Sequence, residues 1–188
     1  MIIVKQYEAA DLPIAKADPK NFTEEVSIPE IQKRIRTVIK TEAPITEWLL
    51  IKRVINSFQV YKAGAKIRPF MQEILDDMDL NYTEDETGMV YWSDRQDPEN
   101  YNIVRIFGKY EETCRDVTLV PDAEIANALI YNLQAEDLDL VDLFRNTANF
   151  LGYTRMGTNV RLGLERGLQY AKREKKIRVE KGEHCILM

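Results

Sequence analysis

The chain repeats itself at a spacing near 93 residues, and no other feature narrows the possible folds as much. Ile31, Ile35 and Ile39 correspond to Ile125, Leu129 and Leu133 at an offset of 94. One residue is then dropped. At an offset of 93, Ile45, Trp48, Leu50 and Ile51 meet Leu138, Val141, Leu143 and Phe144. Phe58 meets Leu151, Lys62 meets Arg155, Gly64 meets Gly157, Ile67 meets Val160 and Arg68 meets Arg161. The apolar run Met89-Val90-Tyr91-Trp92 meets the run around Cys185-Ile186-Leu187. Few positions are identical, but the apolar pattern, the glycine and the arginine recur in order.

Each copy reads the same way. In the first, Ile31, Ile35, Val38 and Ile39 form one helical stripe, predicting a helix from Pro29 to Lys40. Pro29 suits a first turn, where its missing N–H costs nothing. Ala43-Pro44-Ile45 reads as a short extended step, and Thr46 as an N-cap whose hydroxyl accepts an orphan backbone N–H. A second helix runs from Glu47 to Phe58, and a turn follows in which Gly64 is expected to supply a left-handed residue. A third helix spans Ala65 to Met78, with Pro69 in its first turn. Leu80–Thr83 and Met89–Trp92 read as hairpin strands. The second copy predicts helices at Asp122–Leu133, Asp139–Leu151 and Thr158–Lys172, then a hairpin from Ile177 to Leu187.

Three helices followed by a hairpin is the plan of a winged helix, its second and third helices forming a helix-turn-helix. The expected fold class is therefore mostly α with small β hairpins (α+β), as two tandem winged-helix-like modules. The expected layout is an extended N-terminal arm (1–27), module 1 (28–93), an ordered connector (94–121) and module 2 (122–188). In the connector, Tyr101–Phe107 and Cys114–Val120 read as extended.

The totals bound the function. With 45% hydrophobic and 30% charged residues the chain has the composition of a globular protein. No apolar run approaches the ~20 residues of a spanning helix, and Met1–Lys5 lacks the pattern of a secretory signal. Two cysteines are too few for a disulfide framework, so a reducing cytoplasm is the simplest expectation. A net charge of -5 argues against a general coat for nucleic acid. Charge is segregated, however: Glu30–Phe70 holds nine Lys/Arg against three Glu, and Tyr153–Gly182 again holds nine against three.

A resemblance rests on ordered segments. These are Tyr7-Glu8-Ala9-Ala10-Asp11-Leu12-Pro13, Ala43-Pro44-Ile45, Ala63-Gly64-Ala65-Lys66-Ile67-Arg68 and Tyr91-Trp92 in the first half. Pro121-Asp122-Ala123-Glu124-Ile125 and Leu151-Gly152-Tyr153-Thr154-Arg155-Met156-Gly157 follow in the second. Together they resemble the uncharacterised C-terminal domain of large bacterial helicase-like proteins, over nearly the whole chain. Those parents join a superfamily I helicase core to a Vsr-like or restriction-endonuclease-like domain. The resemblance implies a setting of DNA transactions or phage defence, with catalysis in a longer parent; it carries no catalytic residue over.

The chain itself has no Gly-rich Lys-Ser/Thr loop for nucleotide phosphates. It is expected to be non-catalytic, without cofactor or metal. The candidate nucleic-acid-binding residues are Lys62, Lys66, Arg68 and Gln72 in the first copy and Arg155, Asn159 and Arg161 in the second. A helix-turn-helix lays its third helix in the major groove, where Arg, Lys, Asn and Gln reach phosphates and base edges. The competing reading gives Arg68 and Arg161 acidic neighbours within their own copy, and makes the chain a protein-docking or self-assembling module. The expected partners are therefore double-stranded DNA or other domains of a longer helicase-like parent, with no membrane. The basic run Lys172, Arg173, Lys175 and Lys176 reads first as a helix C-terminus favoured by the macrodipole. Cys185-Ile186-Leu187-Met188 matches a prenylation box, but the repeat places it in a strand.

Overall fold

In the computed structural model, which describes residues 1–108, 110 and 113–188, the chain is an α+β protein. The first copy contains α1 (Ile28–Glu42), β2 (Ile45–Thr46), α2 (Glu47–Ser57), α3 (Ile67–Asp76), β3 (Asn81–Asp85) and β4 (Gly88–Trp92). The second runs in the same order: α4 (Asp122–Leu133), β6 (Leu138–Asp139), α5 (Leu140–Phe150), α6 (Thr158–Arg173), β7 (Ile177–Val179) and β8 (His184–Leu187). Outside both lie β1 (Ile3–Gln6) and β5 (Ile103–Ile106). The helices expected from the apolar periodicity are all present, with no end moved by more than two residues.

The sheets repeat as the helices do. Their strand orders are β2-β4-β3 and β6-β8-β7. In one, Ile45 opposes Tyr91; in the other, Leu138 opposes Cys185. The extended step after the first helix is thus a short strand that pairs with the last strand of its hairpin. Two residues are too few to announce a strand in sequence; the pairing becomes visible only in three dimensions.

By contacts the chain divides into two units. Unit 2 comprises Glu8–Glu84 and Gly88–Gln96; unit 1 comprises Met1–Tyr7, Asp85–Thr87 and Asp97–Met188. In unit 2 the core is Ile31, Ile35, Val38, Leu50, Val54, Phe58 and Met71, all essentially inaccessible. The segment expected as an arm supplies Phe22, which is buried and meets Phe58 edge-on at 5.1 Å. Arg34 donates to the Pro13 carbonyl at 2.6 Å and lies over the Phe58 ring. In unit 1, β1 pairs in parallel with β5, Ile3 opposite Ile103.

Unit 1 is built on α4, buried on nearly every side. Two glycines on α6, one turn apart, let α6 approach closely. A Cβ at Gly163 would stand 2.4 Å from Val117 Cγ2, and one at Gly167 would stand 2.4 Å from Ile125 Cγ2. The stretch 114–120, expected as extended, instead turns through a 3-10 helix at Val117–Leu119. Asp116 stops the strand by accepting from the Thr118 N–H at 2.9 Å, a local bond that competes with extension.

Two local expectations are corrected. Thr46 precedes α2 in extended conformation but makes no side-chain cap bond, because it is buried in β2. Gly64 is not left-handed; that role falls to Gln59 (φ 60°), the residue after the α2 cap. Its counterpart 93 residues on is Gly152 (φ 91°). Val60 N–H bonds the Ile55 carbonyl at 3.0 Å and Tyr153 N–H the Ala148 carbonyl at 2.9 Å, so both copies end the second helix alike.

Candidate nucleic-acid interface

The candidate residues sit on equivalent elements. Lys62 and Lys66 lie in the turn that joins α2 to α3, and Arg68 and Gln72 lie on α3 itself. Lys62, Lys66 and Arg68 are exposed; Gln72 is half-buried. Arg155 lies in the turn between α5 and α6, and Asn159 and Arg161 lie on the first turn of α6; all three are exposed. Apolar faces of both helices turn inward and force these polar positions outward.

The acidic neighbours anticipated for these groups are partly present. Arg161 Nε donates to Glu165 Oε1 at 2.9 Å, one turn along α6, with Arg161 exposed and Glu165 half-buried. Gln72 Nε2 donates to Asp76 Oδ1 at 3.0 Å. Arg68 lies instead over the Trp48 ring, its guanidinium 5.6 Å from the centroid. An exposed pair of this kind is worth ~0.2–1 kcal/mol, too little to withhold a cation from a phosphate.

Beside each turn is a cleft. In unit 2 it measures about 330 Å³ and is lined by Trp48, Ile51, Lys52, Ile55, Tyr61 and Lys62, closing on Ala63. In unit 1 it measures about 230 Å³, and its lining includes Val141, Phe144, Arg145, Met156 and Arg161. At the repeat offset, Trp48, Ile51, Lys52 and Ala63 fall on Val141, Phe144, Arg145 and Met156. Apolar side chains stay exposed here: Trp48 at 43%, Tyr61 at 74% and Val141 at 61%. The clefts were not anticipated, because a stripe of one helix cannot show which of its residues a neighbouring turn leaves uncovered.

The strongest polar cluster lies elsewhere. Glu124 on α4 is inaccessible and accepts from Arg105 of β5 (2.6 Å, Nη2 to Oε2) and from Arg115 (2.6 Å, Nη2 to Oε1). Tyr7 stacks on both guanidiniums, at 5.1 Å from Arg105 and 4.1 Å from Arg115. Burial alone would push the Glu124 carboxyl upward; the two arginines outweigh it and hold it at about 2. This cluster is sealed, so its chemistry is cohesion. The sequence offered no signal for it, since its members are scattered over 118 positions.

Asp122, at the start of α4, faces the hairpin tip. Its N–H donates to Asp85 at 3.0 Å, and its Oδ2 accepts from the Glu86 N–H at 3.4 Å. Arg166 Nε stands 3.0 Å from its other oxygen. Burial and then the Asp85 charge raise its carboxyl to about 6, against the pull of Arg166.

Among the described residues no group of three or more His, Cys, Asp or Glu is placed to hold a metal ion, and no helix is long and apolar enough to cross a membrane. Cys185 is inaccessible, in the middle of β8, where Leu138 and Val179 flank it.

A family model described as a protein of unknown function (DUF3320) matches residues 20–69. That span covers α1, β2, α2 and the start of α3, and so includes Lys62, Lys66 and Arg68. No curated protein and no solved structure matches the chain. Residues 20–69 are therefore similar to an uncharacterised domain family.

Proposed function

We propose that the chain is a pair of winged-helix-like modules that positions duplex DNA through the third helices α3 and α6, as a non-catalytic accessory part of a helicase- or nuclease-type protein. One observation carries the reading. In both copies the turn before the third helix and the first turn of that helix display cations at equivalent positions, Lys62 with Arg155 and Arg68 with Arg161, all exposed. The element order and strand order support the winged-helix plan. A third helix presented in this way fits the major groove, with Asn159 and Gln72 suited to base edges. The helicase-type parent rests on the sequence resemblance alone.

The test is retention of a labelled duplex by the full chain as salt is raised. Contact with phosphates makes log affinity fall linearly with log salt, by ~0.9 per phosphate neutralised. Absence of a low-salt complex ends the reading.

The paired clefts favour a second reading, in which the same face docks on a protein. Exposed Trp48, Tyr61 and Val141 would then bury apolar area on association. Self-association or domain docking that is indifferent to salt, in size exclusion with light scattering, distinguishes this reading from the first.

A further inference from the structure

The two copies carry opposite charge where a duplex would meet them. From Ile67 to Trp92, the third helix and hairpin of the first copy, one basic residue stands against seven acidic ones, a formal charge of -6. From Thr158 to Leu187, the same elements of the second, eight stand against four, a formal charge of +4. Duplication of a fold has not duplicated its electrostatics.

Placement deepens the contrast. On α6, Arg161, Leu162, Glu165, Gln169, Lys172 and Arg173 share one outward arc of about 120°, at 100° per residue. All but Glu165, which is half-buried, are exposed. Lys172 stands three turns beyond Arg161, nearly beneath it, so cations mark both ends of the arc. The corresponding arc of α3 carries Arg68, Pro69, Gln72 and Asp76, with exposed Glu73 just beyond its edge. Having 16 residues against 10, α6 also reaches ~9 Å further than α3.

The hairpins differ in the same sense. The tip of the first is acidic at Glu84, Asp85 and Glu86, and residues 85–87 belong to unit 1, held there by the bonds to Asp122. That tip is committed within the protein, and its charge opposes a phosphate. The tip of the second, Glu180-Lys181-Gly182-Glu183, is less acidic, with a formal charge of -1 against -3, and carries exposed Lys181 beside Gly182, whose φ of 88° makes the tight turn.

We propose, on the basis of the DNA-contact reading, that the second copy makes the stronger grip on the duplex, through Arg161, Lys172 and Arg173 of α6 and Lys181 of its hairpin. The acidic third helix and hairpin of the first copy weaken that copy's hold on phosphate. The cations Lys62, Lys66 and Arg68 of the first copy meet the duplex too, but the acidic groups beside them reduce their share.

The experiment is fluorescence anisotropy of a labelled duplex two helical turns long, titrated with the full chain over a range of salt. Replacing Arg161, Lys172, Arg173 and Lys181 by Gln should weaken binding about tenfold or more and flatten the salt slope by ~2–4. The variant K62Q/K66Q/R68Q should also weaken binding, but by no more than about threefold. Removing two acidic groups, D76N/D77N, should tighten binding. All the replaced side chains are exposed, and circular dichroism melts check that each variant folds. A smaller variant, K172Q/K181Q, tests the same side should the fourfold one melt early; unchanged affinity there would count against the proposal. Equal losses from the two sets of cations would overturn the division between the copies and leave DNA contact standing. Absence of salt-dependent binding by the native chain would overturn both.

Discussion

Glu124 ties α4 to β5 and to the segment before the 3-10 helix in unit 1. It gathers two guanidiniums under the Tyr7 ring, and all three partners are buried. Replacing it with Gln leaves two buried cations without their counter-charge. The expected cost is ~3–5 kcal/mol, read as a drop in urea midpoint. The Glu124→Gln chain should lose stability at pH 7, where native Glu124 is fully ionised. Gly167 belongs to the same scale. An added Cβ would meet Ile125 Cγ2 at 2.4 Å, Ile125 Cβ at 2.7 Å and the Ala126 nitrogen at 3.1 Å. Since a backbone atom and a β-branched side chain cannot swing away, Gly167→Ala should destabilise by ~1–3 kcal/mol despite the better helix propensity of alanine. Gly64→Ala, in open space with an ordinary φ, should be nearly neutral, and urea midpoints of the two glycine variants read the difference. The two glycines look alike in sequence. Only the distance to a neighbouring element separates the one that must be glycine from the one that need not be.

At the scale of elements, the start of α4 carries a pH dependence. Asp122 titrates near 6 in the native chain and near 3.8 when unfolded. The folded chain therefore binds this proton more tightly. Its stabilising effect is complete below the unfolded value and is lost as pH rises through about 6. Glu124 behaves oppositely: its contribution is present above about 4.5 and is lost as pH falls toward 2. Acidification from pH 7 to 5 should thus stabilise the native chain through Asp122, by ~1 kcal/mol relative to Asp122→Asn. Denaturant titrations of both chains at the two pH values measure this. A variant with an undiminished pH slope would show that Asp122 is not the group responsible. Helix positions were legible because stripes such as Ile31, Ile35, Val38 and Ile39 need no knowledge of the partner. Short strands were not. Ile45–Thr46 and Leu138–Asp139 owe their extension to the hairpin strand opposite, and β1 owes its pairing to β5, about a hundred residues away.

For the molecule as a whole, net charge misleads. A total of -5 hides -6 over one third-helix-and-hairpin and +4 over the other. Long-range repulsion is screened over ~10 Å at 0.1 M salt, so a duplex responds to the nearest face and not to the sum. The affinity gained by D76N/D77N should accordingly be greatest at low salt and fade as salt rises; anisotropy at several ionic strengths reads it. The candidate site was half visible in advance. The repeat marked Arg68 and Arg161 as equivalent, and both are exposed. It does not match Lys172 and Arg173 to cations of the first copy, since their counterparts are Asp79 and Leu80; the helical period places them on the outward arc of Arg161. Nor did it show the clefts beside Trp48 and Val141, which exist only where a turn fails to cover a helix.

Periodicity, repeat and charge segregation determined the helices, their order, the presence of a second copy and the outward placement of its cations. Each of these follows from short-range stereochemistry, or from the need to bury one face of a helix. Tertiary structure alone decided the rest: the Glu124 cluster, the close approach at Gly163 and Gly167, the strands β2 and β6, and the binding of one hairpin tip to Asp122. Those depend on which distant atoms come within a few ångströms, and a linear pattern holds no record of distance.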